Sequence, residues 1–315
     1  TNDSSSYGFV LYGIKKGDLK NIDELIVEGI RSCFVSECVK PSIIERYLGE
    51  CGPKPVFTKT ANRKIVAHQN FFVERLYYDI DKATPSKLLQ NHLALPINRQ
   101  YRTYEEGYTI IRNKFHEDLK RHYGEGIYSC RVAELEIDLD IHTVCRRRIL
   151  VPLNFPFSYL HSIIQRLFGW EDYHLHNFWL EWDSFGYPLY TLEQEELEIF
   201  PNQRRYDLDY VVLLEDVFPE YKRIEYHYDF GDDWTHTITL INIQEKSTIG
   251  PPLCIGGEGA APPEDAGGAG GWHYMQEILK DPSHKDYAET LVWVEGAEVS
   301  DFDIEKINRR LAWLW

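Results

Sequence analysis

The chain has 315 residues, 43% of them hydrophobic and 14% aromatic, which excludes a disordered chain and suits two domains with cores of their own. No apolar run approaches the roughly 20 residues that span a bilayer, and the opening TNDSSSYG carries no basic region followed by an apolar one, so neither a membrane span nor a signal peptide is expected. The net charge of -16 is unevenly spread: residues 1–124 hold 19 basic and 15 acidic side chains, residues 125–315 hold 15 and 35.

In chain order, YGFVLYGI (7–14) reads as a strand. NIDELIVEGIRSCFVSE places Ile22, Leu25, Ile26, Ile30, Cys33 and Phe34 on one helical face. Pro41 suits the first turn of a second helix, with Ile44, Tyr47 and Leu48 on its apolar side. PVFTKT and KIVAHQN read as two strands of a hairpin turning at Ala61-Asn62. Residues 1–80 thus form a small α+β module. In 81–124, ATPSKLLQNHLALP reads as a short helix and TYEEGYTIIRNKFHEDLKRHYG as a longer one ending near Gly124, a helical connector.

Residues 125–315 read as a larger α+β domain with a mainly antiparallel sheet. VAELEIDLDI alternates, and RRRILVP pairs with it. SYLHSIIQRLFGW is helical, HLHNFWLEW alternates, and VVLLEDVF is a short helix. RIEYHYD and WTHTITLINI are strands around Phe230-Gly231-Asp232. GPPLCIGGEGAAPPEDAGGAGG is a long loop with three acids and no base, followed by a helix after Gly271 and a last one over 303–315. No regular βαβ succession appears, which favours α+β over a doubly wound sheet.

The chemistry-bearing residues gather in this second domain. If His174-Leu175-His176 lies in a strand, alternation puts both imidazoles on one face, where they either ligate a metal or pack and hydrogen-bond. In YHYDFGDDWTH, Asp229, Asp232 and Asp233 bracket a turn. They either cap it or, with Trp234 and His236 beyond it, line a site. Glu264 and Asp265 are the loop's contribution, and the loop itself is a roof or a spacer. His174, His176, Asp229 and His236 are the candidate ligands of a divalent metal ion. Arg146, Arg147 and Arg148 read as structural, at least one of them paired with a carboxylate. DFG stands here without the other kinase motifs, and the glycine-rich loop lacks GK[ST]. The cysteines at 33, 38, 51, 130, 145 and 254 form no CxxC and read as thiols of a reducing cytoplasm. Met275 is the only methionine, so residue 1 is expected to lie inside a longer product.

CRRRILVP, LHSIIQRLFGWEDYHLHNF, YHYDFGDDWTHTITL, CIGGEGAAPPEDAGGAGGWHYM and FDIEKINRRL carry a resemblance across residues 127–315 to the plasmid Ri ORF-three-like family, whose members are labelled insertion-element passenger proteins or resolvases. Cys145 stands where that pattern has a tryptophan. The resemblance implies an α+β fold and a link to plasmids and mobile elements, with no established catalytic residues. NDSSSYGFVLYGIKKGDLKNIDELI to VFTKTANRKIVA is similar to a small bacterial domain family of no assigned role.

Three readings of function stay open. The first is a binding or protein-interaction module whose acidic pocket (His174, His176, Asp229, Asp232, Trp234, His236, Glu264, Asp265) takes a partner protein or a cationic or metal-bridged ligand. The second is a divalent-metal-dependent hydrolase using the same residues. The third is a nucleic-acid-linked regulator acting through residues 1–124. Nucleic acid is not expected at 125–315, because that affinity rests on basic side chains neutralising phosphates.

Overall fold

The computed structural model of the protein describes residues 1–52, 56, 59, 63–85, 87–105, 107–124, 126–182, 188–192, 206–297, 299, 301–312 and 314. The chain divides into two compact units, Thr1–Cys130 and Arg131–Trp315. Among the described residues no helix is long and apolar enough to cross a membrane.

The first unit contains α1 (Ile22–Ser36), α2 (Pro41–Glu50), α3 (Arg63–Leu76), α4 (Asn91–Asn98), a hairpin of β1 (Tyr101–Tyr104) and β2 (Gly107–Ile110), and α5 (Ile111–Tyr123). Tyr7, Phe34, Ile44, Ile111, Phe115, Leu119 and Ile127 form its main core, each large apolar side chain contributing roughly 1.5–3 kcal/mol by burial. Glu37 is fully buried against that core. It accepts from Arg112 at 2.5 Å and from Tyr7 at 2.6 Å, with His116 3.3 Å away. Burial pushes its carboxyl up, but the charges of Arg112 and Arg99 and the His116 hydrogen bond overcome this and hold it well below the usual carboxylate range.

Several elements differ from the sequence reading. Residues 7–14 form no strand; Leu11 makes an isolated bridge with Leu89. The Asn98 side chain takes the place of a neighbouring strand, accepting from Gly8 N–H at 2.9 Å and donating to its carbonyl at 2.7 Å. KIVAHQN lies in α3 and not in a strand. Ile65, His68, Phe72 and Leu76, spaced three or four apart, turn inward or part-way inward. The turn at Ala61-Asn62 lies outside the described residues. α4 starts at Asn91 because Gln90 turns its side chain back to bond both N–H and C=O of Thr84. The long connector helix is a hairpin followed by a helix. Tyr101 and Tyr108 stack across the hairpin at 4.9 Å, and α5 begins only at Ile111.

The second unit is built on one sheet. Its strands are β3 (Cys130–Leu139, whose first residue belongs to the first unit), β4 (Arg146–Pro152), β5 (His176–Trp182), β6 (Pro188–Leu192), β7 (Tyr206–Leu208), β8 (Arg223–Tyr228), β9 (Trp234–Ser247) and β10 (Leu253–Glu258). The order is β10-β4-β3-β9-β8-β5-β6-β7. Pairing is antiparallel at β10/β4, β3/β4, β8/β9, β5/β8 and β5/β6, and parallel at β6/β7. The architecture is therefore mixed α+β. Among the described residues the helices are α6 (Phe157–Phe168), α7 (Leu214–Val217), α8 (Gly268–Lys280), α9 (Tyr287–Gly296) and α10 (Ile304–Ala312). α6 buries Phe157, Leu160, Ile163, Ile164, Leu167 and Phe168. α10 covers edge strand β10, where Asn308 bonds both N–H and C=O of Cys254 at 2.8 and 3.0 Å. An edge satisfied in this way offers no free ladder to another chain there.

The arginine triplet splits by strand parity. Arg146 donates to Asp138 at 2.6 Å and Arg148 pairs with Glu134. Arg147 points inward, is 1% exposed, and donates to the carbonyls of Arg146, Leu167, Glu258 and Gly259.

Candidate functional site

β5, β8 and β9 are neighbours, and their register fixes which side chains meet. His176 opposes Tyr228, which opposes Trp234; Phe178 opposes Tyr226, which opposes His236. Directly opposed residues share a face, and this face is the interior: all six are buried. His236 is wedged by Phe168 at 4.6 Å and by Trp170 and Tyr226 at 5.3 Å. Burial above all, then the charge of His227, pushes its pKa down to about 3. It is a neutral core histidine. His176 lies flat on His161, ring centroids 3.5 Å apart, with Nε2 3.2 Å from the buried Asp209 carboxylate. His161 in turn bonds the Tyr226 hydroxyl and Asp172, both at 2.7 Å. Burial pushes the Asp172 carboxyl up, and the His161 bond and charge more than offset it, leaving it below its ordinary value.

His174 is placed differently, because β5 begins only at His176 and strand alternation does not reach back to it. Its Nε2 is 3.1 Å from Asp265 Oδ1 and 3.6 Å from Asp229 Oδ2. One donor atom from each of His174, Asp229 and Asp265 lies within 4.8 Å of the others. Three separate segments meet here, and hydrogen bonds hold them in place. Asp229 closes β8 with a left-handed backbone, φ 55°. Its N–H bonds the Leu175 carbonyl at 3.0 Å, its Oδ1 accepts from Gly231 N–H at 3.0 Å, and its carbonyl accepts from Asp233 at 2.6 Å. The turn thus uses one carboxylate oxygen and leaves Oδ2 toward His174.

The 259–268 segment closes over this turn through four anchors. Trp170 donates to the Pro262 carbonyl at 2.9 Å and Glu171 N–H to Glu264 at 2.7 Å. The Tyr228 hydroxyl donates to the other Glu264 oxygen, and Gly267 N–H to Asp232 at 2.9 Å. Burial, then the Glu264 hydrogen bond and charge, push the Tyr228 hydroxyl far up, so it stays a donor.

Of the residues singled out from sequence, His174, Asp229 and Asp265 come together. Asp232 and Glu264 tie the loop to the turn, while His176, Trp234 and His236 lie in the core beneath. The sequence does not point to Trp170, Tyr228 or Asp209 as site residues. Tyr228 was legible as a neighbour on the alternate face of β8, whereas nothing in the sequence marks Asp209 as a partner of His176.

One imidazole and two carboxylates suit a borderline or hard divalent cation. Bonds of about 2.0–2.2 Å at a tetrahedral ion put donor atoms roughly 3.4 Å apart, and the two His174 separations bracket that value. The three contributing stretches, 170–176, 229–234 and 258–268, contain no lysine or arginine.

These features all fall within residues 131–311, which match the family model described as plasmid pRiA4b ORF-3-like protein. The chain belongs to this family. Residues 1–109 match a second model, a domain of unknown function, DUF6933. The plasmid pRiA4b ORF-3-like part is similar to uncharacterized protein y4hQ of Sinorhizobium fredii (strain NBRC 101917 / NGR234), 34% identical over 179 residues, covering 56% of this chain and 86% of that protein. It is also similar to the crystal structure of a protein of unknown function, MM3350 from Methanosarcina mazei Go1. There the identity is 33%, the coverage 56% of this chain and 96% of that one, and the TM-score 0.49.

Proposed function

We propose that the plasmid pRiA4b ORF-3-like unit is a binding module that holds a divalent cation between His174, Asp229 and Asp265 and receives its ligand or partner through that ion. The observation that carries the reading is the meeting of three donor atoms within 4.8 Å from segments tied together by hydrogen bonds. Asp265 is 68% exposed and His174 33% exposed, so an ion there keeps open positions for a ligand. Nearby acidic side chains disfavour a phosphate backbone. Hydrolysis would need in addition a base free to take a proton. Glu264, the other loop carboxylate, already accepts from Tyr228 and from Glu171 N–H, so binding is the better-supported role.

Elemental analysis and calorimetric titration with Zn2+ and Mn2+ test it. About one ion per chain is expected, with binding lost in His174→Ala and Asp265→Asn. Both positions are at least partly exposed, so these variants are expected to fold. Metal below about a tenth of an ion per chain, with no thermal shift on adding either ion, would refute the proposal.

A further inference from the structure

The first unit carries a thiol pair unrelated to the acidic site. Residues 38–40 and 127–129 run antiparallel. Val39 bridges Tyr128, Ser129 N–H bonds the Cys38 carbonyl at 2.8 Å, and Lys40 N–H bonds that of Ile127 at 2.8 Å. This short ladder brings Cys130 beside Cys38, and the two side chains are hydrogen-bonded to each other. Cys38 is buried, with a left-handed backbone (φ 57°) that is uncommon outside glycine. Cys130 is partly exposed, and neither cysteine forms a disulfide.

We propose that Cys38 and Cys130 are a redox-responsive dithiol that closes to a disulfide by exchange with a low-molecular-weight disulfide of the glutathione type. The part-exposed Cys130 thiolate attacks one sulfur of the small disulfide, whose S–S bond breaks and releases one thiolate. The Cys38 thiolate, its proton passed to solvent, then attacks the Cys130 sulfur of the mixed disulfide and expels the second small thiolate. The protein dithiol is oxidised, and the small disulfide is reduced to two thiols. The hydrogen bond from Cys38 draws the Cys130 thiol below its ordinary value, with burial opposing, which favours it as the attacking group. Burial pushes the thiols of Cys33, Cys145 and Cys254 up, so they are poor competitors.

The test is to equilibrate the full chain in buffers of oxidised and reduced glutathione, quench in acid, alkylate and map the peptides by mass spectrometry. The expected result is loss of two thiols per chain, a linked peptide joining Cys38 to Cys130, and a higher melting temperature, because the bridge constrains the unfolded chain from 38 to 130. Cys38→Ser should stop at a stable glutathione adduct on Cys130, and Cys51→Ser should oxidise like the parent. Full alkylation of both cysteines under strongly oxidising ratios would overturn the proposal. So would an unresolved adduct in the parent chain, or a bridge between copies. The parent map needs no variant to fold.

Discussion

Gly268 and Gly270 stand two residues apart on the first turn of α8, and the same substitution should act with opposite sign at each. Gly268 has φ 68°, and a Cβ there would lie 2.1 Å from the Asp232 backbone carbonyl. Gly268→Ala therefore meets the left-handed penalty of about 1–2 kcal/mol and must also move the backbone of the acidic turn. The total expected loss is about 2–4 kcal/mol. At Gly270 the φ is ordinary and nothing lies within 4 Å of an added Cβ, so Gly270→Ala should gain about 0.5–1 kcal/mol through helix propensity. Urea titration followed by tryptophan fluorescence reports the second unit alone, since all eight tryptophans lie in residues 125–315. Gly268→Ala should also weaken Zn2+ binding, because the turn that moves carries Asp229. If both variants fell within 0.5 kcal/mol of the parent, the docking of the 259–268 segment on the turn would be wrong.

His236 has a folded pKa near 3, below the unfolded value near 6.5, so the unfolded chain takes up the proton first. Its contribution is intact above about pH 6.5 and falls by about 1.4 kcal/mol per pH unit from there toward pH 3; unfolding free energies from urea titrations at pH 7 and pH 5 should differ by about 2 kcal/mol in the tryptophan-reported transition, and a flat profile would refute the assignment. Glu37→Gln leaves the fully buried Arg112 without its charge partner and should cost about 3–5 kcal/mol, read as lost amide-exchange protection in α5. Arg147→Lys cannot reproduce four carbonyl bonds and should cost about 2–4 kcal/mol in the urea assay. Asp265→Gly relieves a left-handed aspartate (φ 58°) and should raise stability by about 1 kcal/mol while abolishing Zn2+ binding, as calorimetry on the same preparation would show.

The α+β class and the strands of the second unit were legible because their alternation is strong. Leu135, Ile137 and Leu139 all turn inward, as period two requires. The first unit is less legible, for local reasons. Ile65-Val66 is β-branched and suggests a strand, but Phe72 and Leu76 extend the pattern at helical spacing. Two side-chain amides, Asn98 and Gln90, make backbone bonds that no periodicity announces. At the site, the sequence brought the right segments together and could not sort their histidines. His174 and His176 differ by two residues, which means one face in a strand, yet the strand begins between them. That single boundary decides that one imidazole meets two carboxylates while the other stacks on His161 in the interior.

The backbone around the cluster bears on why carboxylates stand there. Asp172, Asp229, Asp233 and Asp265 all have positive φ, between 54° and 67°, and all belong to the three segments that converge. Each such residue costs on the order of 1 kcal/mol. Glycine would hold the same turns without that cost, and asparagine would hold them about as well as aspartate while adding no charge. Backbone geometry alone therefore accounts for the turns and not for the carboxylates of Asp229 and Asp265 standing within 4.8 Å of one another, where mutual repulsion works against folding. The cation proposed at His174, Asp229 and Asp265 would supply the missing term: it would turn that repulsion into attraction on binding, and it would need the carboxylates that glycine or asparagine would remove.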